Sequence, residues 1–241
     1  SRPACVAPAP ARAAKRLPLR AAARSATSGD EGCTAAEAYL SSSGCSDAEL
    51  RKVKVRYGQF FDPDVHTKVK PVMRWLSDIG LTAPQVRAVI VKNPTVFRTS
   101  LDQISQPAVK WLIDLGMDDG QVAKLLTSSP CVLTLSVERS LNPKAQWFKE
   151  LGVDDQEVAK TFARFPPLLG QSLETNLKPK AQAIRDRGFT DTQLVSLLVS
   201  FPRLFGSRLD LLKHRMDVLA AQGLLTEQFL RNTIVLTEAK F

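Results

Sequence analysis

The side chains whose recurrence could do chemistry in this 241-residue chain are lysines and arginines. One set surrounds a series of prolines: Lys68 and Lys70, Lys144, Lys178 and Lys180, then Lys213 with Arg215. A second set comprises Lys92 and Arg98, Lys124, Lys160 and Arg164, then Arg203 and Arg208. Members recur about 36 residues apart, so a repeating fold brings equivalents to the same edge, where cations can follow a phosphate backbone. Taken singly, each has the ordinary alternative of a solvated helix position. As a group, the lysines flanking the prolines are the better candidates for one charged edge, and the spacing alone leaves both sets open.

Other chemistries find no support. The chain has no G-x-x-x-x-G-K-[ST], G-x-G-x-x-G or G-x-S-x-G, and its recurrent acids have a simpler explanation at helix ends. No catalytic residue, cofactor or enzymatic activity is expected. His66 and His214 are the only histidines, and Cys5, Cys33, Cys45 and Cys131 form no C-x-x-C pair, so neither a metal site nor a disulfide framework is expected. Cys131, beside Pro130, reads as a small buried hydrophobe.

The elements that must position the cations follow from an internal repeat. Pro71, Pro107, Pro143 and Pro179 stand 36 apart and open the segments PVMRWLSDIG, PAVKWLIDLG, PKAQWFKELG and PKAQAIRDRG. Gly80, Gly116, Gly152 and Gly188 close these segments, with Gly44 one period upstream and Gly223 after a spacing of 35. A second proline recurs at Pro94, Pro130, Pro166 and Pro202. Proline in a first turn and glycine in a left-handed cap predict a first helix between them. A second helix starts at a polar cap such as Thr82 or Asp118, buries Val86, Val89 and Ile90 or their equivalents, and breaks at the second proline. An apolar pair around Phe97, Leu133, Leu169 and Phe205 then inserts into the core. A short third helix is expected near Ser100, Ser136 or Ser172, with Asp102, Glu138, Glu174 and Asp210 offsetting the positive end.

The expected fold is therefore all-α: a helical-repeat solenoid of about five 36-residue units, each two helices plus a short third, 3-10-like helix. The units run about 35–70, 71–106, 107–142, 143–178 and 179–213, with a partial unit 214–241, in one repeat domain spanning 35–241. Trp75, Trp111 and Trp147 repeat on the inward face and are expected to pack between units, as are Phe165 and Phe201. Residues 1–34 carry six basic side chains against two acids and are rich in Ala, Pro, Ser and Arg, the composition of a disordered basic leader or transit-peptide remnant.

Composition sharpens the functional reading. Lys and Arg outnumber Asp and Glu by 33 to 24, a formal net charge of +9 that suits an anionic partner. Nearly half of that excess lies in the leader, which weakens net charge as evidence for a binding groove. No run approaches the ~18 apolar residues of a membrane-spanning helix, and no membrane insertion is expected.

The repeat pattern, clearest in VAKTFARFPPLLGQSLETNLKPKAQAIRDRGF (Val158 to Phe189) and LVSLLVSFPRLFGSRLDLLKHRMDVL (Leu194 to Leu219), resembles the mitochondrial transcription termination factor (mTERF) family over roughly residues 35–225. The resemblance implies a helical-triplet superhelix with a basic groove. It implies an organellar location, mitochondrion ahead of chloroplast, and non-catalytic binding of organellar RNA or double-stranded DNA in transcription termination, transcription regulation or RNA processing. The alternative is an architectural subunit of a large organellar assembly such as a ribosome, contacting its RNA or proteins. About five units are fewer than longer members carry, which suits a single strand or an RNA stem better than a full duplex site.

Overall fold

A computed structural model describes residues 34–57 and 63–233, and among these there is no strand. The expectations for the leader up to residue 33, with Cys5 and Cys33, and for the tail of the partial unit, 234–241, lie outside the described residues. The helices are α1 (Ala35–Ser42), α2 (Asp47–Tyr57), α3 (Val65–Val69 continued by Lys70–Asp78), α4 (Ala83–Lys92), α5 (Leu101–Ser105 continued by Gln106–Asp114), α6 (Asp119–Ser128), α7 (Val137–Leu141 continued by Asn142–Glu150), α8 (Asp155–Arg164), α9 (Leu173–Leu177 continued by Lys178–Arg185), α10 (Asp191–Ser200), the single turn α11 (Arg203–Gly206), α12 (Leu209–Ala221) and α13 (Glu227–Thr233). Three 3-10 turns, Pro94–Arg98, Pro130–Thr134 and Pro166–Gly170, follow α4, α6 and α8. Helices α2, α4, α6, α8 and α10 each pack on the next, as do the successive 3-10 turns and α11. The result is the expected helical-repeat solenoid.

Local chemistry sets the ends of each helix. Thr82, Asp118 and Thr190 form capping boxes with Gln85, Gln121 and Gln193, and Asp154 accepts the Glu157 amide. The odd helices end at Gly80, Gly116, Gly152 and Gly188, whose φ of 87° to 101° is a conformation other residues rarely adopt. This bend lets Leu81, Met117 and Val153 return their amides to the carbonyls of Leu76, Leu112 and Phe148 and enter the core. Phe97, Leu133, Leu169 and Phe205 insert from the 3-10 turns and are buried, as expected.

The third helix departs from expectation. Ser100, Ser136 and Ser172 do start helical segments, accepting the amides of Gln103, Arg139 and Thr175, but these segments run straight into the proline-bearing helices. Pro71, Pro107, Pro143 and Pro179 are therefore interior residues, seventh in α3, α5, α7 and α9. A proline there lacks a donor and its ring collides with the carbonyl four residues back. The leading turn of each helix is π-helical instead: Ser105, Leu141 and Leu177 donate five residues back, to Ser100, Ser136 and Ser172. The short 3-10 element sits at the second proline, where sequence reading placed only an inserted apolar pair.

The last unit supports this account. His214 stands where the four preceding units have proline, and α12 is α-helical throughout, with no π turn. The same unit is one residue shorter, and the residue is lost from the leading turn of the helix: the N-caps Ser172 and Arg208 stand 36 apart, whereas Pro179 and His214 stand 35 apart. Proline, π turn and 36-residue spacing disappear together.

Three residues assigned to the charged edge are withdrawn from it. Lys144, Lys180 and Arg215 are only 2 %, 1 % and 6 % exposed. They occupy the repeat position held by the buried Val72 and Ala108 in α3 and α5. Lys180 Nζ donates to the Phe205 carbonyl at 2.6 Å and Lys144 Nζ to Ser140 Oγ at 2.7 Å. Burial lowers the pKa of both, that of Lys144 to about 8, with Cys131 acting weakly in the opposite direction. Cys131 itself is half-buried and its thiol is pushed up by burial. The tryptophans pack as expected: Trp147 is buried, Trp75 and Trp111 are half-buried against the core, and Trp111 Nε1 donates to Asn142 Oδ1 at 2.7 Å. Phe165 and Phe201 also lie half-buried against or beside it.

Two predictions follow from these packing constraints. His214→Pro puts a proline into a helix with no π turn and is expected to cost about 3 kcal/mol of stability in denaturant unfolding, whereas Pro179→Ala is tolerated. Lys144 titrates near 10.5 when unfolded and about 8 when folded. Between those pH values the unfolded chain holds more protons, so stability rises with pH across that window, while below it the burial penalty is fully present. Lys144→Met should reduce the rise, leaving the contribution of Lys180, and raise stability at neutral pH by roughly 1–3 kcal/mol, read from unfolding midpoints at pH 7 and pH 10.

Candidate nucleic-acid interface

Antiparallel helix pairs give the solenoid two edges of opposite composition. Where an odd helix turns into the next even helix lie Asp114, Asp118 and Asp119, then Glu150, Asp154, Asp155 and Glu157, then Asp186 and Asp191. The cations there are neutralised: Lys110 pairs with Asp114 at 2.7 Å, Lys149 with Asp155 at 2.8 Å and Arg185 with Asp191 at 2.7 Å. The other edge is formed by the ends of the even helices, the 3-10 turns and the starts of the odd helices. It carries the solvent-facing Lys92, Arg98, Arg164, Arg203 and Arg208 together with Lys68, Lys178, Lys213 and the half-buried Lys70. Members of both sequence-predicted sets therefore meet on one edge. Lys124 and Lys160 do not join them; they lie mid-helix on α6 and α8, facing away from the buried stripes.

Several of these cations also hold the repeats together. Lys92 Nζ donates to the Thr127 carbonyl at 2.6 Å and Arg164 Nη1 to that of Val199 at 2.7 Å. Arg56 reaches the Val91 carbonyl in the same way. Each bond runs from the last turn of one even helix to the last turn of the next, where carbonyls lack intrahelical donors and a positive charge is favourable. Ser128, at the equivalent position, turns back to Leu125 of its own helix instead. Arg98 stacks 4.1 Å from the centre of the Tyr57 ring, and Lys70 lies 5.4 Å from that of Tyr39. Sequence reasoning missed Arg56, although it lies one period before Lys92, and Arg139, exposed in the leading turn of α7.

The acids on the basic edge are the expected first-turn residues. Glu174 accepts Lys178 at 2.6 Å and Asp210 accepts Arg208 at 2.6 Å. The Arg208 hydrogen bond, reinforced by the Leu211 amide, holds the Asp210 carboxyl below the usual carboxylate range. These pairs are exposed and contribute little to stability, so they can open to an incoming phosphate at small cost. Among the described residues no cluster of His, Cys, Asp or Glu could hold a metal ion, and no helix is long and apolar enough to cross a membrane.

No curated protein matches the chain. The mTERF family model does, over residues 38–107 and 101–229, that is, from α1 into α13 and across every repeat described above. Such coverage, together with the tandem helical units and their segregated charge, shows that the chain belongs to the mTERF family, whose members are nucleic-acid-binding regulatory proteins, typically organellar and generally non-catalytic.

Proposed function

We propose that this chain regulates organellar gene expression by occupying RNA or double-stranded DNA along its basic edge, in transcription termination, transcription regulation or RNA processing. The observation that carries this reading is the convergence of members of two cation columns on one edge while acids collect on the other. Such an arrangement presents positive charge at regular intervals to a phosphate backbone and turns the acidic edge away. Affinity then comes from counterion release, and selection from strand shape rather than from base contacts. Occupancy itself is the mechanism: a bound solenoid blocks or holds the strand without altering a covalent bond.

Fluorescence anisotropy on mixed-sequence single-stranded RNA and duplex DNA across a salt series tests this directly. Log affinity should fall linearly with log salt, and the variant Lys68→Gln/Arg98→Gln/Arg203→Gln should flatten the slope by about 2 to 3. Lys124→Gln/Lys160→Gln, on the outer faces of α6 and α8, should leave it nearly unchanged. Absence of salt-dependent binding to both nucleic acids would overturn the reading.

A further inference from the structure

The last joint of the repeat differs from the others in a way that creates a site. Between α9 and α12, which lacks the π turn, lies a cavity of about 540 Å³, lined by Thr175, Asn176 and Lys180 on one side and by Arg208, Asp210 and Lys213 on the other. Lys180 is the buried group: its ammonium gives one proton to the Phe205 carbonyl, which leaves two donors uncommitted to that bond. Arg208 and Lys213 stand at the solvent side. Three cations face one carboxylate. Asp210 already accepts the Leu211 amide at 2.9 Å and two Arg208 nitrogens at 3.2 Å and 2.6 Å, so it is directed at its own helix and at Arg208.

No other joint assembles this set. At the positions equivalent to Lys180, Arg208 and Lys213, the joint between α7 and α9 has Lys144, Ser172 and Lys178, the last paired with Glu174. Between α5 and α7 the same positions hold Ala108, Ser136 and Asn142, and between α3 and α5 they hold Val72, Ser100 and Gln106. A cavity with an excess of two positive charges, one of them on a desolvated ammonium, is stabilised by an anion that supplies several acceptors at once.

We propose that the α9–α12 joint is a phosphate pocket that seats one phosphodiester of a nucleic-acid backbone, with Arg208 and Lys213 donating from the rim and Lys180 from the floor. This rests on the nucleic-acid reading above and adds to it a fixed anchoring point at the C-terminal end of the basic edge. Thr175 and Asn176 supply neutral hydrogen-bonding groups beside the bound phosphate. Burial lowers the pKa of Lys180, and an anion beside the ammonium opposes that shift.

The test uses the full chain and the rim variant Arg208→Gln/Lys213→Gln, with folding checked by circular dichroism, since Lys180 is part of the core. Anisotropy on the same RNA and DNA should show about a 10-fold loss of affinity and a salt slope flatter by about 2, with Lys124→Gln/Lys160→Gln near wild type. If wild type binds and the rim variant binds equally well, the pocket is overturned while the nucleic-acid reading stands. If wild type binds neither nucleic acid, that reading falls and inorganic phosphate decides the pocket. Saturable amide shifts at Leu209 to Leu211 that vanish in the rim variant uphold a pocket for free phosphate; no saturable shift overturns it.

Discussion

A proline in the middle of a helix removes one backbone donor and presses its ring against the preceding turn, and this chain meets that constraint at four equivalent places. Its solution is a π-helical leading turn, which widens the helix where the ring must fit and lets the segment after each 3-10 turn continue into the next long helix. The 36-residue pitch follows from that extra residue. Pitch in turn decides which side chains are stacked, because only equal spacing keeps the stripes of α4, α6, α8 and α10 in register for burial against each other. Where His214 relaxes the constraint, the π turn is absent and the pitch drops by one.

Charge segregation is a second consequence of the same architecture. Stacked even helices place all their N-termini on one edge and all their C-termini on the other. Acids are favourable at the first and cations at the second, through the helix dipole and the unpaired terminal amides and carbonyls. Asp118 and Asp154 cap amides on one side, while Lys92 and Arg164 bond carbonyls of the following repeat on the other. The basic edge thus arises first as a way of finishing helices and joining units. The proposed nucleic-acid binding would use charges that the fold already needs: individual cations have structural partners and yet remain exposed.

Burial of long basic side chains runs through the C-terminal half. Ser105, Lys144 and Lys180 are buried polar groups near successive joints; Ser105 donates to the Leu133 carbonyl of the next unit, and Lys180 to the equivalent carbonyl, that of Phe205, in its own. A desolvated lysine is costly unless hydrogen-bonded, and both ammonium groups have a partner. In the last joint the same type of residue lies next to a rim of further cations, which turns a structural position into the floor of a pocket.

Much of this was legible from residue order. The prolines, glycines and capping residues recur at one period, so helix ends, the buried stripes and the repeat count could be read from local chemistry and spacing alone. Even the burial of Lys144 and Lys180 had a signal, in the valine and alanine of the equivalent positions in α3 and α5. What local order did not decide was whether the segments at Ser100, Ser136 and Ser172 are separate helices. Proline reads as a start, and only the neighbouring turn shows that the backbone instead widens to π geometry. Nor could it decide which cations face solvent together, because that depends on the direction of each side chain across a joint between units 36 residues apart. The sequence by itself determined the repeat, its caps and its charge content; tertiary packing alone decided which charges were buried, which were tied to a neighbouring carbonyl, and which were left exposed together on one edge.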